Sequence, residues 1–599
     1  MKKFLVFAAF ALIFAISCSN SSKTTPDTDS DSDPWSEDSD QSSENDDSDD
    51  DAEIPDSGDT DPTPDQQSYC FPLIDPAEND EEDSAAAEGL DYESGFIYLE
   101  ENEYSLSERD DKSGRARIWY NFQPADKNPQ KKPLFVFFNG GPGSSSAIVF
   151  LYNTAKKTGD QACSGEGVAD NETNWNQLGN LLYVDARQTG FSYGIIDDPS
   201  DESNRSAYFS TSNFNVFTDA ADFIRVILRF LKSHPAIKSN PVVLAGESYG
   251  GTRATAILNI MQNVADYAEK HRVFYDKALF EEIAGHFRET DPSIEGMPSK
   301  KDVVKQFARQ ILIQPLVMGD TQMATAGELL EQNDSPLYTI QEETGKKYKK
   351  CENNSWNCSK YNNALTYVQN AGRDIYSYRR PYNWLFEYTD VATAKMLQMP
   401  MFGEFILNDP TKIDELYAKN RDGAFRYDEV DGYTRNFNKN MTLENIPEVE
   451  RIIMKARIEQ RNAHPLSSGN LESVFGDLPA YDEYFVDLNY AINFKFYQAS
   501  VTPYSKTNGE MFLENIKTSC TFITQAEEDI IIYAKGIPES TKKFSGVSDV
   551  ESGEDFFTVH FSDGKAATVT FPFYPESSHS VSVNQPKKFF NDVKNWLNQ

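Results

Sequence analysis

One short segment of the sequence has the residue types and spacing of a serine nucleophile. Gly246-Glu247-Ser248-Tyr249-Gly250 fits the pattern G-x-S-x-G. In this pattern the serine lies on a tight turn from a strand into a helix, and the strained turn lifts its hydroxyl clear of the sheet. The context agrees, because an apolar run of strand length, 241–245, precedes the motif and a helical pattern follows it. An ordinary strand-to-helix turn is the alternative.

A serine hydroxyl becomes a good nucleophile only when a base takes its proton, so the histidines after Ser248 are candidates for that base. In an α/β-hydrolase the chain order is serine, acid, histidine. His579 lies between the last predicted strand and the final helix, where the base belongs. His560 lies in an alternating strand pattern, 556–561, and is interpreted as structural; the other three histidines after Ser248 fall in insertions.

The acid that orients the histidine should follow a late strand and precede His579. The strand pattern 520–524 leads into Gln525-Ala526-Glu527-Glu528-Asp529. We predict Asp529 as the acid, which would keep the imidazole in the correct tautomer and stabilise its charged form. Glu528 is the competing candidate.

The elements that must position these residues alternate along the chain. Strand patterns separated by helical patterns favour a mostly parallel sheet flanked by helices. The predicted helices span 217–231, from Ser248 to about 267, and 587–597. The predicted strands span 95–99, 115–120, 133–138, 181–185, 241–245, 311–317, 520–524 and 567–571.

The composition excludes several classes of protein. Of 599 residues, 39% are apolar and 13% aromatic, which excludes a wholly disordered chain. The net charge of −39 would repel nucleic acid, so no nucleic-acid partner is expected. The six cysteines include no CxxC pair, which disfavours zinc, and the proposed chemistry needs no metal or organic cofactor.

The N-terminus has the features of an export signal. Two lysines precede an apolar run, 4–16, that is too short to span a bilayer. The run ends in Ala15-Ile16-Ser17-Cys18, which resembles the lipobox of bacterial lipoproteins, with Ala15 in place of the usual leucine. We therefore predict lipidation at Cys18 and an exported protein anchored to a membrane of the cell envelope through that lipid alone. An ordinary cleaved signal that contains a cysteine is the alternative.

Composition also divides the chain into five predicted segments. Residues 19–69 contain 18 acidic residues and one lysine, which predicts a disordered acidic tether. Residues 323 to about 490 break the alternation of strands and helices and are interpreted as an inserted cap. The predicted segments are the signal peptide 1–18, the tether 19–68, the first core part 69–322, the cap 323–495 and the second core part 496–599.

Four motifs in one order resemble those of the serine carboxypeptidase family. Asn139–Ser146 is similar to the family's N-G-G-P-G-x-S-S, and Gly246–Gly251 to its nucleophile motif G-E-S-Y-x-G. His579 and Pro586 match its H-x6-P spacing, and 174–193 resembles a further family segment. The resemblance covers about 92–260, 310–322 and 515–599.

This resemblance implies an α/β-hydrolase fold with an inserted cap and a carboxypeptidase that works through an acyl-enzyme on Ser248. It implies an oxyanion hole made by the backbone N–H groups of Gly141 and Tyr249. Asn139 and Glu247 match positions that bind the terminal carboxylate of the substrate. The implied partner is a peptide with a free C-terminus; the oligomeric state is not determined.

The sequence also departs from the family pattern. The family's second carboxylate-binding glutamate lies fourteen residues after the asparagine, and a count without gaps reaches Asn153, which we assign to substrate binding. Ser144 replaces a family cysteine. These differences bear on exopeptidase specificity more than on the triad. An esterase or acyltransferase that uses the same triad, and a binding protein with a retired site, remain the alternatives.

Overall fold

The computed structural model describes the two parts of the predicted core. The described residues are 70, 72–73, 90–144, 146, 154–158, 169–187, 189, 192–195, 210–330, 332, 504–527, 529, 532–575, 577, 579 and 581–599. The predicted signal peptide, the predicted tether and almost all of the predicted cap lie outside these residues, as do Cys18 and Asn153. The five segment boundaries therefore remain predictions.

Eighteen strands are present in the described residues, and most belong to one large sheet. In chain order they are β1 Glu93–Leu99, β2 Asn102–Leu106, β3 Arg109–Ser113, β4 Ala116–Gln123, β5 Leu134–Phe138, β6 Lys157–Thr158, β7 Ala169–Asp170, β8 Asn180–Val184, β9 Tyr193–Gly194, β10 Val242–Glu247, β11 Phe274–Tyr275, β12 Phe307–Ile313, β13 Cys520–Ile523, β14 Gln525–Ala526, β15 Val547–Ser552, β16 Phe556–Phe561, β17 Ala566–Thr570 and β18 Phe573–Tyr574.

The large sheet has the strand order β1-β4-β8-β5-β10-β12-β13-β17-β16-β15, with β9 paired to β4. Every pair from β8 to β17 is parallel, and the pairs at both ends are antiparallel. From β5 the chain continues to β8 on one side of β5 and then to β10 on the other side, which is the strand order of an α/β-hydrolase. The predicted fold, a mostly parallel sheet flanked by helices, is confirmed.

Ten α-helices are present in the described residues. They are α1 Val216–Ser233, α2 Gly250–Gln262, α3 Val264–Ala268, α4 Lys277–Thr290, α5 Lys300–Val303, α6 Gly319–Leu330, α7 Ser505–Ile516, α8 Ile537–Thr541, α9 Val581–Asn584 and α10 Pro586–Leu597. Helix α2 packs against α1 and α7 and against strands β10 and β12. Among these helices, none is long and apolar enough to cross a membrane.

The start of α1 shows how the sequence fixes an element next to the site. Asn215 precedes the helix, and its side-chain oxygen accepts hydrogen bonds from Phe217 N at 3.1 Å and Thr218 N at 3.0 Å. Thr218 Oγ1 in turn accepts from Asn215 N at 3.2 Å. This capping box satisfies backbone donors that have no partner within the helix. Almost all of α1 is buried, as a helix packed in the core must be.

Two expectations from the sequence are wrong in detail. The strand predicted at 311–317 is β12, which begins at Phe307 and ends at Ile313. Gln314 has φ 43°, and Pro315 has no N–H for a sheet ladder, so the strand ends before both. The helix predicted to run to about 267 is divided at Asn263 into α2 and α3.

A disulfide joins the start of the described chain to the second part of the core. Cys70 bonds to Cys520, with Cα atoms 5.6 Å apart and a separation of 450 positions in sequence. Cys520 is the first residue of β13, so the bond lies at the amino-terminal edge of the parallel strands, opposite the edge where Ser248 follows β10.

Candidate active site

Ser248 lies on a tight turn at the carboxyl edge of the sheet. Strand β10 ends at Glu247 and α2 begins at Gly250. Ser248 has φ 60°, a left-handed conformation that costs a non-glycine residue of order 1–3 kcal/mol. The turn is fastened to the next strand, because Ser248 N donates to Ile313 O at 3.0 Å and Leu316 N donates to Ser248 O at 2.9 Å. The strain predicted for a G-x-S-x-G serine is therefore present.

Gly246 is needed because the turn is so compact. A Cβ added at Gly246 would lie 2.3 Å from the carbonyl oxygen of Gly250 and 2.7 Å from the ring of Phe138. Neither atom can move away cheaply, because one belongs to the backbone of α2 and the other to a packed core side chain. Strand, turn and helix can approach this closely only with glycine at position 246.

The glycine loop, residues 139–144, follows β5 and lies directly against this turn. A Cβ added at Gly140 would lie 2.4 Å from Tyr249 N and 2.6 Å from Glu247 O. Gly141 has φ 100°, and Ser144 N donates to Gly140 O at 3.2 Å to close the loop. Gly141 and Tyr249, the two predicted oxyanion donors, therefore lie in backbone segments that are in contact.

Tyr249 is the residue immediately before α2. Backbone N–H groups at a helix N-terminus have no partner within the helix and carry the positive end of the helix dipole. This environment favours negative charge, which a carbonyl oxygen gains when a nucleophile attacks it. The location is suitable for an oxyanion donor, and the roles of Gly141 and Tyr249 stay predictions.

A small pair of parallel strands brings the predicted acid and base together. Strands β14 and β18 pair with Gln525 opposite Phe573 and Ala526 opposite Tyr574. Asp529 follows β14 by three residues, and His579 follows β18 by five. Because β14 and β18 are parallel, both chains leave the pair in the same direction, which places the two side chains together.

Asp529 Oδ2 and His579 Nδ1 form a hydrogen bond of 2.8 Å between residues that are 50 apart in sequence. Both side chains are buried, at 0% and 4% exposure. Asp529 Oδ1 accepts from Ile532 N at 3.1 Å, which fixes the carboxylate in its loop. With Nδ1 directed to the acid, Nε2 is the nitrogen left to exchange a proton with a serine. The competing candidate, Glu528, lies outside the described residues.

Two opposing influences act on the pKa of His579. Burial is the larger single influence and lowers it, whereas the charge of Asp529, its hydrogen bond and the charge of Glu247 raise it. Together the carboxylates outweigh burial, so the pKa of His579 lies above its ordinary value of 6.5. The influence of Glu247 also indicates that the end of β10 lies close enough to act on the imidazole.

Of the predicted substrate-binding residues, two lie at this edge. Glu247 is the last residue of β10 and is 1% exposed. Asn139 begins the glycine loop, and its side-chain oxygen accepts from Gly140 N at 2.6 Å. The third, Asn153, lies outside the described residues. The structure thus brings together Ser248, Glu247, Asn139 and the two oxyanion candidates at one edge of the sheet.

Sequence reasoning missed Arg253. This residue of α2 is fully buried; it donates to the backbone carbonyl of Asn139 and pairs with Asp219 of α1 at 2.8 Å. The available signal was an arginine in a stretch of small and apolar residues one turn after the nucleophile. A charge at such a position is almost never fully buried unless it is paired.

Comparisons with known proteins identify similar chains. The family model described as serine carboxypeptidase matches residues 93–422. Serine carboxypeptidase-like 44 of Arabidopsis thaliana is 35% identical over 146 residues, which cover 24% of this chain and 27% of that protein. Serine carboxypeptidase-like 45 of the same plant is 31% identical over 166 residues, 28% of this chain and 32% of that protein. The chain thus matches about a third or less of the length of these curated relatives.

A solved structure gives a further comparison. The prohormone-processing carboxypeptidase Kex1 of Saccharomyces cerevisiae aligns with 85% of this chain and 91% of its own, at 14% identity and a TM-score of 0.43.

Proposed function

The chain belongs to the serine carboxypeptidase family, and from that membership we propose that it is a serine-type carboxypeptidase. It would hydrolyse the C-terminal peptide bond of peptides or proteins through an acyl-enzyme on Ser248. The observation that supports this most directly is the buried 2.8 Å hydrogen bond between Asp529 and His579. Two loops separated by 50 residues converge to form it, which is what an acid that orients a base requires.

In the proposed reaction Ser248 Oγ attacks the carbonyl carbon of the last peptide bond. His579 takes the serine proton as the new C–O bond forms, and the carbonyl oxygen becomes an oxyanion that the N–H groups of Gly141 and Tyr249 stabilise. His579 then gives the proton to the leaving nitrogen, and the C–N bond breaks. Water attacks the acyl-enzyme by the same steps, with His579 again as the base.

The terminal carboxylate of the substrate would be bound by Asn139 and Glu247, with Asn153 as a third contact. Two carboxyl groups in direct contact cannot both be ionised cheaply, so a hydrogen bond between Glu247 and the substrate needs a proton between them. The amides of Asn139 and Asn153 donate at any pH. Recognition of a free C-terminus would therefore combine one proton-dependent contact with two that are independent of pH.

The test compares a blocked dipeptide with its C-terminal amide. A carboxypeptidase should strongly prefer the free acid, because the amide lacks the charge that the carboxylate site binds. Ser248→Ala should abolish both activities, which excludes a contaminating enzyme. Equal rates on acid and amide, with labelling of Ser248 by a fluorophosphonate retained, would contradict the carboxypeptidase proposal and favour an esterase or acyltransferase. Absence of labelling would favour a retired binding site.

We further propose that the protein is exported and anchored to a membrane through lipid on Cys18. The Cys70–Cys520 disulfide supports export, because disulfides persist in oxidising compartments. A flexible tether of about 50 residues would have an end-to-end distance of roughly 40 Å. Cys18→Ser should release the protein from washed membranes without loss of activity. A variant that stays in the membrane fraction would contradict the lipid anchor.

A further inference from the structure

Arg253 contacts both sides of the proposed oxyanion hole. Its side chain is fully buried, its Nε donates to Asp219 Oδ2 at 2.8 Å, and its Nη1 donates to the backbone carbonyl oxygen of Asn139. One guanidinium therefore connects three elements: α1, which contains Asp219; α2, which contains Arg253 itself; and the glycine loop.

Three aromatic rings lie close to this guanidinium. Its central carbon lies 4.6 Å from the ring centroid of Phe223 and 5.6 Å from those of Phe138 and Tyr249. Cations are attracted to ring faces, and the attraction is greater away from water. Because hydrogen bonds and rings restrain it on several sides, Arg253 has little freedom to move relative to Asn139.

Both proposed oxyanion donors are therefore positioned relative to α2. Tyr249 precedes the helix and accepts the first-turn hydrogen bond from Arg253 N at 3.1 Å. Gly141 is two residues after Asn139, whose carbonyl Arg253 binds. The loop and the turn are also in contact at Gly140, where an added Cβ would lie 2.4 Å from Tyr249 N. The separation of the donors thus depends on α2, on the backbone contact at Gly140 and on the side chain of Arg253.

Stability alone does not account for this buried pair. Burial raises the pKa of the Asp219 carboxyl to about 6 in spite of the charge of Arg253 beside it, so the pair is costly to bury. Arg253 Nη2 also lacks a hydrogen-bond partner among the described residues. Replacing such pairs with well-packed apolar residues is often neutral or stabilising. A role in positioning explains the cost.

We propose that Arg253, paired with Asp219, is a positioning residue that sets the geometry of the oxyanion hole through the carbonyl of Asn139. This inference rests on the serine-hydrolase step of the proposed function and not on the preference for peptides. An enzyme that labels at Ser248 but prefers esters would contradict the proposed carboxypeptidase and leave this inference intact.

The test is the rate at which a fluorophosphonate labels Ser248, together with kcat and KM on an activated ester. In Arg253→Lys the charge remains, but a single ammonium cannot reproduce the forked contacts to Asp219 and Asn139. We expect the labelling rate and kcat to fall about 10- to 100-fold, because misplacement of a group by about 1 Å has this effect, while KM changes little.

The matched control is Arg225→Lys. Arg225 is another buried arginine and lies in α1, and it pairs with Asp276 at 2.7 Å at the start of α4 rather than with the glycine loop. It should lose a similar amount of thermal stability and keep the labelling rate within about twofold. Equal effects on labelling in both variants, or no effect in Arg253→Lys, would overturn the proposal.

If Arg253→Lys does not fold, Arg253→Met combined with Asp219→Leu removes both charges together, which avoids leaving one buried charge without its partner. This double variant should fold and show the same selective loss of labelling rate and kcat. A folded double variant with the labelling rate and kcat of the wild type would show that the pair does not position the oxyanion hole.

Discussion

Two regions of the molecule contain the proposed catalytic groups, and they are constructed differently. The nucleophile region, residues 134–144 and 242–262, consists of two adjacent central strands, the glycine loop, the turn at Ser248 and α2. Its backbones are in direct contact, and glycines permit that contact. The base region, residues 525–529 and 573–579, depends on a pair of two-residue strands and one side-chain hydrogen bond.

The difference follows from what each region must position. Oxyanion donors are backbone groups, so the backbone itself must be placed within a fraction of an ångström. An imidazole needs a defined orientation, and one hydrogen bond to a buried carboxylate provides it. We therefore expect small changes of the backbone to be severe in the nucleophile region and loss of the Asp–His contact to be severe in the base region.

The largest effect should come from removing the nucleophile or the base, because the proposed reaction needs one side chain from each region. Ser248→Ala, His579→Ala and the double variant should each lose about 10⁶-fold in kcat, because triad residues act as a unit and their effects do not add. Steady-state kinetics on one ester substrate measures all three. A double variant with a much larger loss than either single variant would show that the two regions act independently.

The next largest effect should come from Asp529→Asn, which keeps the shape of the side chain but favours the wrong imidazole tautomer. The expected loss is on the order of 10⁴-fold in kcat. Glu528→Gln is the control and should have little effect. If Glu528→Gln were the harmful change and Asp529→Asn harmless, the acid would be Glu528.

A methyl group added to the nucleophile region should have an intermediate effect. In Gly140→Ala the new Cβ would collide with backbone atoms of Tyr249 and Glu247 and displace the glycine loop. We expect a loss of about 10²- to 10³-fold in kcat, the effect of losing one oxyanion donor. The control is Gly285→Ala in α4, where the new Cβ would have no atom within 4 Å beyond its chain neighbours and the adjacent backbone of its own helix.

Gly285→Ala should keep full activity and gain up to about 1 kcal/mol in stability from helix propensity. Thermal unfolding of both variants, measured beside kcat, separates the two effects. Full activity in a folded Gly140→Ala enzyme would mean that the contact between loop and turn is not needed for catalysis.

The smallest effect should come from the charge that links the two regions. The base must be neutral to accept a proton, and the carboxylate of Glu247 raises the pKa of His579 by favouring its charged form. Glu247→Gln should therefore lower that pKa, and activity should persist to lower pH. At high pH, where the imidazole is neutral in both enzymes, the rates should be similar.

This shift is measured as the change in position of the acid limb in the pH profile of kcat/KM. The substrate is an ester without a free carboxylate, so that substrate binding by Glu247 does not contribute. The exposed carboxylate Glu269 provides the control, and Glu269→Gln should leave the limb in place. An acid limb that moves upward in Glu247→Gln would contradict the assigned influence on His579.

The two regions also differ in how far the sequence predicts them. The turn at Ser248 is encoded in a few consecutive residues, and its glycines can be recognised together with the strand before them and the helix after them. The β14–β18 pair was not predicted, because two residues per strand are too few for an alternating pattern. The contact of Arg253 with Asn139 was not predicted either, because the two residues are 114 positions apart. Distant pairing of this kind, including Cys70 with Cys520, has no local pattern.

The Cys70–Cys520 disulfide makes most of the chain a covalent ring. Ser248 lies inside the ring, whereas Asp529 and His579 lie on the segment that leaves it. A single cut of the backbone anywhere between Cys70 and Cys520 opens the ring but leaves one covalent molecule. A protease that cut once between Ser248 and Cys520 would therefore leave nucleophile and base on two different chains that the disulfide still joins, and reduction would remove the covalent link between them.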